Sequence, residues 1–142
     1  MKFLKLTLLA VIMTALLPTQ ANAKSIVQPK AYIFGFVANF SDSVIYVTDI
    51  QEVDSVWFDK KSKFLLNRNI YTSQLRNYFT NTLNLPNRTC IVMFGMDRKK
   101  AEKKYAKLMK NYTGKHAGRY VIKHLDDSDF HFTPVKIFDD EE

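Results

Sequence analysis

Apolar residues follow two different spacings along this chain, and the combination restricts the fold that the chain can adopt. Residues 32–40 alternate with a period of two and are mostly apolar, which is typical of a strand buried largely on both faces. From Thr72 onward, apolar residues recur at helical spacing, at Leu75, Tyr78, Phe79 and Leu83. A chain that carries both periods is predicted to fold as an α+β domain.

Polar interruptions divide the rest of the chain into further predicted strands. A short polar segment after Phe40 is of hairpin length, so the first two strands are predicted to form a β-hairpin. The uninterrupted apolar run at residues 90–94 is typical of a central strand buried on both sides. The predicted strands cover residues 32–40, 44–50, 53–58, 90–94, 120–122 and 130–135.

Two helices are predicted from their periodicity and their capping residues. The first begins with Thr72 or Ser73 as the N-cap and ends before Pro86. The second begins at Asp97 as the N-cap and ends at Gly114. Together the elements predict a two-layer α+β fold, in which a mixed sheet of four or five strands carries both helices on one face.

The N-terminus has the three-part pattern of a secretory signal peptide. Lys2 and Lys5 precede an apolar run at residues 6–17, and Ala21-Asn22-Ala23 provides an A-x-A cleavage site. We therefore predict a signal peptide over residues 1–23, a single domain over residues 24–142, and a periplasmic or secreted location. No later apolar run approaches the roughly 20 residues of a membrane-spanning helix, so an integral membrane protein is not predicted.

Cys90 is the only cysteine, so no disulfide can form within the chain. A nucleophilic role would need His116, His124 or His131 as the base. The neighbours of Cys90 are apolar, however, and a thiol in a buried strand is inert because burial raises its pKa. We predict that Cys90 is a core residue, and no catalytic residue or cofactor is predicted.

Charged residues are segregated along the sequence, although the formal net charge of the whole chain is only +7. Residues 60–123 contain 16 Lys or Arg and two acidic residues. Residues 42–59 contain five acidic residues and no basic one, and residues 124–142 contain seven acidic residues and one lysine. The centre of the chain is therefore strongly basic and is flanked by acidic segments.

Much of the basic charge falls on one face of the second predicted helix. A stripe of this kind can attract an acidic protein surface or an anionic polymer. Charged faces are the ordinary exterior of amphipathic helices, however, so a solvated face partly balanced by the acidic segments of the same chain is the favoured interpretation of the stripe. No nucleic-acid motif accompanies the charge, so a nucleic-acid partner is not predicted. The candidate partner-binding residues are Lys100, Lys103, Lys104, Lys107 and Lys110.

A second cluster lies near the C-terminus. His124, Asp129 and His131 are residue types that bind zinc or a similar ion, and they suggest a metal-dependent hydrolase as the alternative function. Their spacing matches no established metal motif. Because Asp and Ser are common turn formers, Asp126-Asp127-Ser128 is better explained as a polar turn between two edge strands, and no metal ligand is predicted.

Several segments of the chain resemble a known group of proteins. The resemblance is found in four segments: the Ala31-Tyr32-Ile33-Phe34-Gly35-Phe36 strand, residues 49–57, Tyr78-Phe79-Thr80-Asn81 and residues 87–92. Together they resemble an uncharacterised family of small exported proteins of Bacteroides-type bacteria. The resemblance implies an envelope or secreted setting and supplies no activity and no functional residue.

The sequence therefore predicts an exported binding protein that contacts an envelope protein or an anionic glycan, with the metal-dependent hydrolase as the alternative. A structural or assembly role, with an edge strand near Val44 or Phe130 as the pairing surface, is a third possibility.

Overall fold

The computed structural model of the chain describes residues 25–136, so the predicted signal peptide lies outside the described residues. Five strands and two helices follow one another along this part of the chain. The strands are β1 (Ser25–Ala38), β2 (Val44–Thr48), β3 (Gln51–Asp59), β4 (Thr89–Gly95) and β5 (Val121–Leu125). The helices are α1 (Arg68–Asn77) and α2 (Arg98–Lys110), and a π-helical turn follows each of them, at Tyr78–Thr82 and Asn111–Lys115.

β1 is the central strand of the sheet. It pairs antiparallel with both β2 and β3 along one edge and antiparallel with β4 along the other. β5 pairs parallel with β2, so the sheet is mixed. The α+β class, the mixed sheet of five strands and the two helices are thus confirmed.

β2 and β3 form one long partner for β1 that is interrupted at Asp49 and Ile50. Phe36 pairs with Val47, and Ile33 pairs with Gln51. The four residue steps from Val47 to Gln51 therefore lie opposite only three steps on β1, and this extra residue is a β-bulge. The buried Thr48 hydroxyl accepts a hydrogen bond of 2.8 Å from the Gly35 amide and donates one of 2.9 Å to the Asp49 carbonyl. Side-chain bonding therefore satisfies the backbone where the ladder is interrupted.

The two helices lie on opposite faces of β1, which corrects the expectation that both share one face. The side chain of Leu75 on α1 fills the space above Gly35, where an added Cβ would lie 2.6 Å from it. On the other face, Phe34 packs edge-on against Tyr105 of α2 at a centroid distance of 5.3 Å. Since successive residues of a strand point to opposite faces, each helix covers one set of β1 side chains.

The first helix begins earlier than predicted. α1 starts at Arg68, so Thr72 and Ser73 lie inside the helix and neither is its N-cap. Their hydroxyls donate to the carbonyl oxygens four residues earlier in the chain. The early start places Tyr71 on the same face as Leu75, and both side chains are buried. For the second helix, the predicted cap is confirmed, since the Asp97 carboxylate accepts from the Lys100 amide at 2.8 Å.

β4 is an edge strand rather than the predicted central strand. Among the described strands it pairs only with β1, and Ile91 on it is 40% exposed. Val44, the predicted edge, instead lies on β2 between β1 and β5. Phe40, the predicted end of the first strand, is fully exposed in the hairpin turn.

Two predictions about the C-terminal part are also wrong. Gly114 lies within the π-helical turn, while the glycine with positive φ is Gly118, four residues later. Residues 130–135 form no strand. They are held by the buried Gln51 side chain, which donates to the Phe130 carbonyl and accepts from the Phe132 amide, each at 2.7 Å. Within residues 25–136, no helix has the length and apolar character needed to cross a membrane.

We expect Thr48→Val to destabilise the fold, because valine matches the shape of threonine but leaves the buried Gly35 amide without an acceptor. The free energy of unfolding, measured by urea denaturation, should fall by about 1–3 kcal/mol. Thr72→Val removes a hydroxyl from a less buried helical position and should change it by less than about 0.5 kcal/mol. Equal losses for the two variants would show that the Thr48 bond does not stabilise the bulge.

Candidate anionic-ligand groove

An open groove of about 910 Å³ runs along the free edge of β4, between the start of α1 and the C-terminal half of α2. We call it the basic groove. Its apolar lining comes from Phe64, Met93, Phe94 and Leu108. Its cationic lining comes from Arg68, Lys104, Lys107, Lys110 and Lys115. Phe64 is 63% exposed, so its aromatic ring is not part of the hydrophobic core and is available to a ligand.

The edge of β4 brings cations from both helices together. The Arg68 guanidinium of α1 donates to the Val92 carbonyl through Nε at 3.0 Å and Nη2 at 2.6 Å. The Lys104 ammonium of α2 donates to the Phe94 carbonyl at 2.6 Å. Both cations also lie against the Phe94 ring, with Arg68 Cζ 5.7 Å and Lys104 Nζ 4.5 Å from its centroid. This arrangement exists because β4 is covered by α1 on one face and by α2 on the other.

The ammonium of Lys104 is partly buried at the edge of the groove. Partial burial of its ammonium lowers the pKa of Lys104, and the nearby charges of Arg68 and Lys100 lower it further. A partly desolvated ammonium held among like charges gains free energy when an anion approaches it. The groove is therefore poised electrostatically for a negative ligand.

The acidic segment at residues 42–59 does not neutralise the basic groove, contrary to one part of the solvated-face interpretation of the lysine stripe. Its carboxylates Asp42, Asp49 and Glu52 pair instead with Arg88, His124 and Lys30. Among the described residues, none of the five cations lining the groove has a carboxylate within 4.0 Å. The acidic residues after Lys136 lie outside the described part of the chain.

The five predicted lysines divide between two neighbouring cavities. Lys104, Lys107 and Lys110 line the basic groove, whereas Lys100 and Lys103 line a smaller cavity of about 440 Å³ that also borders Lys104. Lys100 is the member of the stripe with a nearby carboxylate, since its Nζ lies 3.8 Å from Asp97. Arg68 and Lys115 were missed by the sequence analysis. They lie outside α2, and only the tertiary fold brings them to the same groove.

The histidine cluster does not assemble a metal site within residues 25–136, where no group of three or more His, Cys, Asp or Glu side chains is placed to bind an ion. The His124 imidazole contacts the Asp49 carboxylate on the neighbouring bulge. Asp126 accepts hydrogen bonds from the Ser128 hydroxyl and from the Ser128 and Asp129 amides, which makes the segment a turn. His131 is exposed.

Cys90 is buried on β4, as predicted for a core residue. Burial raises the pKa of its thiol, which keeps it in the protonated form that is a poor nucleophile. Its thiol donates a long hydrogen bond of 3.9 Å to the Arg88 carbonyl.

Comparison with protein-family models, with curated proteins and with solved structures finds no match for this chain. The resemblance to a family of small exported proteins of Bacteroides-type bacteria therefore stays a prediction. What the groove binds has to be argued from its own chemistry.

We expect the Lys104 ammonium to lose its proton at a lower pH than an ordinary lysine side chain, as measured by NMR titration of the lysine side chains. Arg68→Gln removes one neighbouring cation and should raise the Lys104 pKa toward its usual value. Arg76→Gln removes an arginine from the other end of α1, about 12 Å farther along the helix, and should leave the Lys104 titration unchanged. A Lys104 midpoint at or above the ordinary lysine value would contradict the burial of its ammonium.

Proposed function

We propose that this chain is a small exported protein that binds an acidic partner, an envelope protein or an anionic glycan, through the basic groove. The observation that carries the proposal is the set of five cations around one groove, with no carboxylate partner among the described residues. The proposed export rests on the signal-peptide pattern of residues 1–23.

The shape of the groove favours binding over a merely solvated helix face. A solvated lysine row projects from a convex helix surface, whereas Lys104, Lys107 and Lys110 line a concavity together with apolar side chains. Low-dielectric walls concentrate the field of the cations inside such a concavity and raise the local concentration of anions. The lysine stripe is thus better explained as one wall of a binding site.

The apolar lining restricts the ligand further. Phe64 and Leu108 offer contact area to an uncharged part of a ligand, next to the cations that attract its charge. Small inorganic anions would leave this area unused. The groove therefore suits a ligand that carries several negative charges and some apolar surface.

The proposal is tested by measuring the binding of residues 24–142 to poly-glutamate and to polygalacturonate at low salt. Lys107→Glu/Lys110→Glu reverses two charges of the groove and should weaken binding about tenfold or more, because each partly exposed contact contributes about 0.2–1 kcal/mol and reversal adds repulsion. Raising the salt concentration should weaken binding of the wild-type chain as well.

The matched control is Lys99→Glu/Arg119→Glu, which produces the same change in net charge at two exposed residues that line none of the cavities described above. Its binding should stay within about threefold of the wild-type chain. Equal losses in the two double variants would mean that overall charge, rather than the groove, attracts the polymer. No binding of either polymer by the wild-type chain would show the proposed function to be wrong.

A further inference from the structure

The outer edge of β4 is available for pairing with another strand. Among the described strands, β4 has a partner on one side only, where seven of its residues pair with β1. The opposite edge faces the basic groove, since Met93 and Phe94 line that groove. An edge strand of this length is a template for an added strand unless it is protected.

The contacts of β4 show which of its backbone groups point outward. Val92 and Phe94 use their carbonyl oxygens to accept from Arg68 and Lys104, so these carbonyls point away from β1. In an antiparallel pair, the amide and carbonyl groups of one residue point to the same side. The Val92 and Phe94 amides therefore also face the groove, whereas those of Ile91 and Met93 point toward β1.

We propose that the basic groove binds an extended acidic segment of a partner protein, which adds as a strand to the outer edge of β4. This inference rests on the proposed function and names the ligand class for the same groove. The Val92 and Phe94 amides donate to carbonyl oxygens of the added strand, carboxylates of that strand pair with Arg68 and Lys104, and an apolar side chain contacts Phe64.

Charge selects the kind of strand that this edge accepts. A neutral strand would displace Arg68 and Lys104 from the carbonyls they now bond and leave two cations without partners in a partly desolvated groove, which costs free energy. A strand with carboxylates at matching positions replaces each lost bond by a charge-assisted one. The two cations therefore oppose pairing with neutral strands and favour acidic ones.

A protein segment fits this edge better than an anionic glycan does. A glycan supplies negative charge but has no regular row of amide and carbonyl groups to pair with β4. The Phe94 ring is also already occupied by two cations, at 4.5 and 5.7 Å from its centroid, so it offers little free face to a sugar ring.

The experiment uses residues 24–142 and a synthetic seven-residue peptide in which Glu alternates with Val. Hydrogen–deuterium exchange should slow about tenfold or more at the Val92 and Phe94 amides when the peptide is bound. Ile91 and Met93 provide the internal control, because their amides face β1 and their exchange should not change.

Two N-methylated peptides separate backbone pairing from charge attraction, because N-methylation removes an amide donor without changing the charge. Methyl groups on the set of alternate amides that faces β4 should weaken binding about tenfold or more, and methyl groups on the other set should change it by less than about threefold. A peptide with Gln in place of Glu should bind at least tenfold more weakly than the parent.

The outcomes distinguish this inference from the proposed function. If polygalacturonate and the peptides bind but the two N-methylated forms bind equally, and the Val92 and Phe94 amides gain no protection, strand addition is wrong and the anion-binding groove remains. If neither polygalacturonate nor any acidic peptide binds, both the proposed function and the strand inference are overturned.

Discussion

The structure depends on β1, which is paired along both edges and covered on both faces. Residues from Ile33 to Val37 are all buried, and they alternate between the α1 side and the α2 side of the sheet. Gly35 has a specific role in this arrangement, because a side chain there would occupy the space of Leu75. With β1 covered on both faces, each helix packs against its own face of the sheet, and the two frame β4 from opposite sides.

Buried polar contacts, rather than a sixth strand, fix the C-terminal part to this framework. Gln51 forms two hydrogen bonds of 2.7 Å with the backbone of Phe130 and Phe132. Both phenylalanines are buried, so the segment contributes to the core without continuing the sheet. The side chain of Gln74 on α1 makes the same kind of two-point contact with the Thr133 backbone, at 3.0 and 2.9 Å. Two amide side chains thus perform the pairing that the sequence pattern attributed to a strand, because each of their polar ends meets a complementary backbone group.

Local patterns in the sequence predicted the elements better than their arrangement. The hairpin, the strand at β4 and the Asp97 cap of α2 follow from short-range periodicity and capping chemistry, and all three are present. Periodicity reports which faces of a strand are covered, but it does not report whether its edges are paired. β4 has an apolar run because a helix covers part of each of its faces, so its sequence resembles that of a central strand. For the same reason, the lysine stripe was found from sequence, while its meeting with Arg68 and Phe64 was not.

Because the groove lies on an edge strand, the contacts that protect this edge from unwanted strand pairing also affect which ligands the groove binds. An unpaired edge invites association with any extended chain, and proteins commonly block such edges with charged side chains. Here the blocking groups are Arg68 and Lys104, and each bonds a carbonyl that an added strand would need. The protection is conditional, since a carboxylate can draw either cation away from the backbone whereas an uncharged group cannot. The same two contacts that keep β4 from pairing with neutral strands therefore give the edge a preference for acidic ones.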